Sequence, residues 1–248
     1  QVIEHGVQQE FSGEGETARG TVTLGIQPAR ARQLLPGLTA AFRAEYPGVR
    51  IDVVLGETQR LSPQLLEGKI DLFLGVDTPP HLRLRRELLR EEAIFLLATP
   101  RLLQEHLPGW DPERTQILPE ELVRLPLAFN PAVSTLAQAV DGFMTGRGLR
   151  LAPVCTVGDY YIQLSLCQFH QAAAFCPESF LREVFLGNSS CGDQSQVLAL
   201  RVPGLDSRLR VELVTHTSHY LPRYAAALHA MLRTQYLANL AEVERLMA

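Results

Sequence analysis

The sequence predicts an α/β protein of two lobes, and three observations carry that prediction. Strand-like and helix-like segments alternate along most of the 248 residues, the pattern of βαβ units around a parallel sheet. A polar, proline-bounded stretch at 100–119 separates one such run from a second. A long amphipathic segment closes the chain after the second run and is placed to return to the first.

The elements follow in order. Residues 1–11 (QVIEHGVQQEF) read as the end of a helix, with Val2, Ile3 and Val7 on one side. Residues 12–20 are polar and rich in glycine, a linker by composition. Residues 21–26 (TVTLGI) alternate apolar and β-branched positions and predict a strand. Leu34, Leu35, Leu38, Ala41, Phe42 and Tyr46 recur at helical spacing, so 29–46 predict a helix that Pro47-Gly48 ends. A strand at 49–55, a helix at 58–67 stopped by Gly68, and a short buried strand at 70–75 complete the first run. Alternating charge over 82–89 suits an edge strand, and the apolar run 93–98 a buried one.

The second run predicts strands at 125–129, 152–157, 172–175, 197–202 and 210–215. Its helices fall at 134–147 with Ser134 as cap, from Asp159 through Cys167, and at 177–185 with Pro177 in first position. The closing helix covers about 221–246 and buries Ala225, Leu228, Leu232, Leu240 and Val243. The expected organisation is a linker at 1–19, a first lobe from 20–98 plus 216–248, and a second lobe from 99–215. Two chain crossings between lobes imply a hinge and a cleft.

Composition narrows the function. The net charge is −4 and no segment holds clustered positive charge, so these residues are not a nucleic-acid binder. No apolar run approaches the ~20 residues of a membrane span. Residue 1 is Gln and no signal peptide leads it, so the sequence reads as part of a longer, cytoplasmic protein. Cys155, Cys167, Cys176 and Cys191 form no C-x-x-C pair and read as buried small hydrophobes, with a redox role as the alternative. Nucleophile-elbow, P-loop, zinc-protease and dinucleotide-binding motifs are missing, so neither an enzyme nor a cofactor is expected.

The order Gly20-x-Val22-x-Leu24-Gly25-Ile26, Leu34-Leu35-Pro36, Phe42, Tyr46-Pro47-x-Val49 and Leu65-Leu66-x-Gly68-x-Ile70-Asp71-Leu72 resembles the effector-binding domain of LysR-type transcriptional regulators. Ala172-Ala173-Ala174-Phe175-Cys176-Pro177 and Tyr220-Leu221-Pro222 extend the resemblance over about 20–248. It implies two Rossmann-like lobes joined by crossing strands, similar to type 2 periplasmic binding proteins. It also implies a small-molecule effector between the lobes, a homodimer or homotetramer, and promoter DNA bound only through an N-terminal winged helix-turn-helix. Two places depart from the family: Cys167-Gln168-Phe169-His170-Gln171 replaces a richer glycine pattern, and Gln27-Pro28 replaces a loop that often offers Ser or Thr.

Ligands of open α/β sheets sit beyond the carboxyl ends of strands, at helix N-termini. That rule selects Gln27, Pro28, Arg30, Gly56, Thr58, Gly75 and Val76 in the first lobe, and Asn130, Ser134 and Cys176 in the second. An amide, hydroxyls and helix-end N–H groups suit a small carboxylate, although Glu57 opposes one unless it points outward. Each residue also has a plainer reading: Gln27 and Thr58 as local caps, Arg30 as solvated, Asp71 as a structural hydrogen-bonding group. His216 and His219 read as surface or hinge residues, and His170 is the one imidazole near thiols. The competing functions are a transporter's solute-binding protein, which predicts a leader upstream, and a redox-sensing regulator.

Overall fold

The computed structural model describes residues 18–188 and 196–247. The reading of 1–17 as a helix end and linker, and of Cys191, falls outside those residues.

The first sheet is built by β1 (Gly20–Ile26), β2 (Val49–Leu55), β3 (Leu72–Val76), β4 (Leu84–Glu92) and β10 (Leu209–His216), in the order β2-β1-β3-β10-β4. β1 runs parallel to β2 and β3, whereas β10 runs antiparallel to both of its neighbours. Helix α1 (Pro28–Glu45) starts at a proline that needs no N–H there and buries Leu34, Leu38 and Phe42. These meet Val22, Leu24, Leu74 and Leu213 of the sheet and Leu228 and Leu232 of α8 (Arg223–Met247). Helix α2 (Thr58–Leu66) covers the opposite face, where Leu61 and Leu65 pack on Phe73 and Val214. Gly25 makes that approach possible: a Cβ there would lie 2.8 Å from the Phe73 Cβ and 2.9 Å from Leu61 Cδ2. Gly68 ends α2 in the left-handed region, at φ 70°, and the Lys69 N–H returns to the Gln64 carbonyl at 2.8 Å.

The second sheet repeats the plan with β5 (Ile94–Ala98), β6 (Leu127–Phe129), β7 (Pro153–Thr156), β8 (Ala173–Pro177) and β9 (Leu198–Leu200), ordered β7-β6-β8-β5-β9. Helices α3 (Pro100–His106), α5 (Thr135–Thr145) and α6 (Tyr160–Gln168) flank it; α4 (Pro119–Leu122) is a single turn. Phe175, Phe129, Leu96, Leu127, Val140 and Leu164 belong to its core. No helix among the described residues is long and apolar enough to cross a membrane.

Several details differ from expectation. The strand at 94–98 pairs with β8 and β9, so it belongs to the second sheet, not the first. β10 pairs with β3 and β4, so it belongs to the first. The crossings therefore fall at Ala93, alone between β4 and β5, and over residues 201–208. A continuous apolar run carries no record of which sheet will accept it, which is why sequence placed both strands one lobe away. Helix α3 was hidden behind Pro100, which here sits in the first turn, with the Thr99 hydroxyl accepting from the Leu102 N–H. Ser134 occupies the cap position of α5 but its side chain makes no capping bond. Pro177 ends β8 and leads into a 3-10 turn (Glu178–Phe180) before α7 (Leu181–Asn188), rather than opening a helix directly.

Candidate functional site

The segments that follow β1 and β3 meet the second lobe, where Gln33 Nε2 donates to the Ser179 carbonyl at 3.3 Å. Ala29 and Val76 of the first lobe rest on the core of the second. A polar chain crosses beside them. Gln27 donates from Nε2 to the Glu57 carboxylate at 3.2 Å, and its side chain lies beside the Tyr160 hydroxyl of the second lobe. Its Oε1 accepts from Arg30 at 3.4 Å. Arg30 Nη2 then meets Glu92 Oε1 at 3.1 Å.

Glu92 is the centre of this network. It is fully buried at the last position of β4, next to the crossing. Its Oε1 also accepts a short hydrogen bond from the Tyr236 hydroxyl of α8, and its Oε2 accepts from the Ser179 hydroxyl at 3.0 Å. One carboxylate thus joins α1, α8 and the second lobe. Burial disfavours the Arg30 charge, but Glu92, Tyr236 and Tyr160 outweigh it, and the guanidinium is held more firmly protonated than usual. Burial pushes the Tyr160 hydroxyl up as well, so it stays neutral.

The candidate residues separate on inspection. Gln27, Arg30 and Cys176 come together around this network. Arg30 is 4% exposed, which corrects the reading of it as solvated: Glu92, 62 positions away, supplies its counter-charge. Thr58 accepts from the Val76 N–H at 2.8 Å, tying the ends of two neighbouring loops. The Gly56 N–H donates to the Ile26 carbonyl, and Gly75 is closed in by Phe73 and Thr78. Pro28 lines an open groove with Leu35, Val53 and Leu55 that reaches Asp159 of the second lobe. Asn130 and Ser134 are buried at the second lobe's loop, where Asn130 Oδ1 has no partner among the described residues. Sequence reasoning reached the loop that ends at Tyr160 but missed Glu92, Tyr236 and Ser179; an acid ending an edge strand carried the one available signal.

Asp159 caps α6 as its sequence position suggests, its Oδ1 accepting from the N–H groups of Tyr161 at 2.8 Å and Ile162 at 3.3 Å. Asp159→Ala is expected to cost about 1 kcal/mol and lower the melting temperature by about 2–4 °C in a thermal denaturation scan. Asp71 is structural: its Oδ2 accepts from the Thr23 N–H at 2.7 Å. The His216 and His219 rings stack at 3.8 Å, at the end of β10 far from the crossing, and no metal-holding group occurs among the described residues. His170 binds the Thr99 hydroxyl at 2.8 Å, not a thiol. Burial pushes the Cys167 thiol up to about 12 and the Cys176 thiol well above its ordinary value. Thiols so shifted stay protonated and slow to oxidise.

Two lobes around a packed, polar interlobe junction define the class: a bilobal effector-binding domain with a type 2 periplasmic-binding-protein-like fold. The chain belongs to the LysR substrate binding domain family, which matches residues 15–237. It is 27% identical over 135 residues to a probable RuBisCO transcriptional regulator of Emiliania huxleyi, covering 52% of this chain and 40% of that one. The chain thus spans less than half the length of that relative. Among solved structures, the C-terminal domain of a probable LysR family transcriptional regulator from Rhodococcus sp. RHA1 superposes with a TM-score of 0.67 at 15% identity, over 87% of this chain and 99% of that one. The BenM effector binding domain with its effector benzoate gives 0.64 at 17% identity, over 88% and 93%. Family members are transcriptional regulators.

Proposed function

We propose that this chain is the ligand-sensing regulatory part of a cytoplasmic LysR-type regulator, without catalytic activity of its own. A small molecule enters between the lobes, changes their relative setting and so changes the geometry of an oligomer. A separate N-terminal domain carries the contact with promoter DNA. The observation that carries this reading is the polar chain Glu57–Gln27–Arg30–Glu92–Ser179, which links loops of both lobes. A ligand with different affinity for the bridged and parted states shifts the balance between them, and by no more than that difference. Ligand at 100 times its Kd stabilises by about 2.7 kcal/mol, so an effector raises the melting temperature by about 5–10 °C. A Ser134→Trp variant, which fills the second lobe's loop, is expected to lose that rise.

Self-association is the second part of the proposal. An open groove of about 1010 Å³ runs along α1 and β2, with Leu35, Val53 and Leu55 on its walls. Val154 of β7 and Ile162 of α6 are exposed on the second lobe. A two-fold dimer placing one surface against the other buries both sets. Sedimentation of the chain at micromolar concentration is expected to give a dimer, and Val53→Arg a monomer. A wild-type monomer under those conditions argues against this assembly.

A further inference from the structure

The corner where β10 ends holds polar groups that the interlobe junction does not use. His216 pairs with Leu84 of β4, and Leu84 and Val214 belong to the small core under α2, so the imidazole stands at the rim of that core. It is 7% exposed. The His219 ring, itself exposed, lies nearly flat against it, with centroids 3.8 Å apart and planes 18° apart. His216 Nδ1 accepts from the Ser218 N–H at 3.1 Å, which leaves the ring's own proton on Nε2. Nε2 is buried and has no partner among the described residues. The Thr217 N–H donates to the Arg83 carbonyl at 2.9 Å and ties the same segment to the start of β4.

The charged groups nearest this ring are of one sign. His219, Arg83 and His81 all oppose a positive charge on it. Asp71, just before β3, is the acid of the corner and lies close enough to His219 to feel its charge, but its Oδ2 is given to the Thr23 N–H. Tyr224 of α8 lies near Asp71 in turn. At the end of α2, Gly68 approaches His219, and its neighbours Glu67 and Lys69 are paired with each other at 2.6 Å. Arg86, opposite Val214, is directed to the Thr78 carbonyl and to Glu212. Among the described residues no carboxylate reaches either ring nitrogen of His216. Burial first, and then the neighbouring cations, hold this imidazole below its ordinary value.

A proton added to Nδ1 removes the acceptor of the Ser218 N–H. It also sets a positive charge against a second imidazole and near Arg83, in a place that water barely reaches. The neutral ring fits the folded corner and the charged ring does not. We propose that the His216–His219 stack is a proton-operated latch: neutral His216 holds residues 217–222 against the end of the first sheet, and its protonation releases them. That segment links β10 to α8, the helix that covers the sheet and reaches Glu92 through Tyr236. The latch goes beyond ligand sensing between the lobes and does not depend on it. Its direction follows from the lowered imidazole, because the released state takes up the proton more readily than the folded one. The latch is closed above the ordinary imidazole value of about 6.5 and loosens as pH falls below it, by up to about tenfold per pH unit for one proton.

The test is amide hydrogen exchange on the whole 248-residue chain from about pH 7.5 to about pH 5, corrected for the intrinsic pH dependence of exchange. Protection of the Thr217 and Ser218 amides is expected to be constant above about pH 6.5 and to fall by up to about tenfold per pH unit below it. The amides of β6 and α5 in the second lobe should keep theirs over the same range. His216→Asn, whose side-chain oxygen accepts a hydrogen bond but does not titrate, is expected to flatten the profile. NMR titration of the wild-type His216 ring reads the same event without a substitution, and its midpoint should lie below about 6.5. Protection of Thr217 and Ser218 that is unchanged down to about pH 5 overturns the latch. A His216→Asn profile equal to wild type overturns it as well, and so does a His216 ring that titrates at or above about 6.5. Simultaneous loss of protection in both lobes also overturns it, since that is acid unfolding of the whole chain.

Discussion

Replacing Arg30 by methionine is expected to destabilise the protein by about 3–5 kcal/mol, because it strands Glu92 as a buried, uncompensated charge. Glu92 has no route to water: it is fully buried, and its remaining partners are the Tyr236 hydroxyl and the hydroxyl and N–H of Ser179. In thermal unfolding the loss reads as a fall of about 10 °C. The double replacement Arg30→Met with Glu92→Leu is expected to recover a large part of it, since a paired loss leaves no orphaned charge. Recovery is incomplete because Tyr236 and Ser179 then lose their acceptor, at about 1–3 kcal/mol for each group left unsatisfied. A single Arg30→Met variant within 1 kcal/mol of wild type would show that the ion pair contributes nothing net. The same variant separates stability from communication. If Glu92 couples the lobes, the double replacement folds yet shows a smaller ligand-induced change in sedimentation than wild type.

Phe175→Ala is expected to cost about 3–5 kcal/mol through the cavity it opens. Phe175 is wholly buried in β8, between β6 and β5, with its ring edge-on to Phe129 at 6.0 Å and 79°. The neighbouring ring cannot fill the void without leaving its own packing. Phe175→Leu, which keeps most of the volume, should cost less than half as much. Denaturant midpoints check both. The damage reaches the junction too, because β8, which contains Cys176, runs directly into the Glu178–Phe180 turn that carries Ser179. Loosening the strand loosens Ser179 against Glu92.

Much of this architecture was legible in the residues. The alternation over 21–75 located β1, α1, β2, α2 and β3 because periods of two and of 3.6 are both unmistakable there. The family resemblance likewise came from the order of such segments. Of the residues chosen by the strand-end rule, Gln27 and Arg30 stand in a buried network. What the sequence withheld was partnership. Nothing near Arg30 announces Glu92, and nothing near Glu92 announces Tyr236, 144 positions later. A charge beside a helix start reads as solvated until the fold brings its counter-ion. The sheet that takes β5 was equally hidden, since a strand buried on both faces looks alike in either lobe. The short α3 escaped because seven residues supply barely two turns of pattern.

The exchange of strands between lobes also fixes an order of events during synthesis. The second sheet draws all its strands from one uninterrupted stretch, Ile94 to Leu200. The first needs β10 as an inner strand and α8 as cover, so it must wait for the last 40 residues. A ribosome delivers the amino end first, yet here the amino-terminal half is the one that cannot close on its own. Until β10 arrives, β3 and β4 lie open at facing edges, and the apolar side of the sheet that α8 will cover is bare. The nascent chain therefore carries its older half unfinished while the younger half folds, and that interval is when it most needs a chaperone.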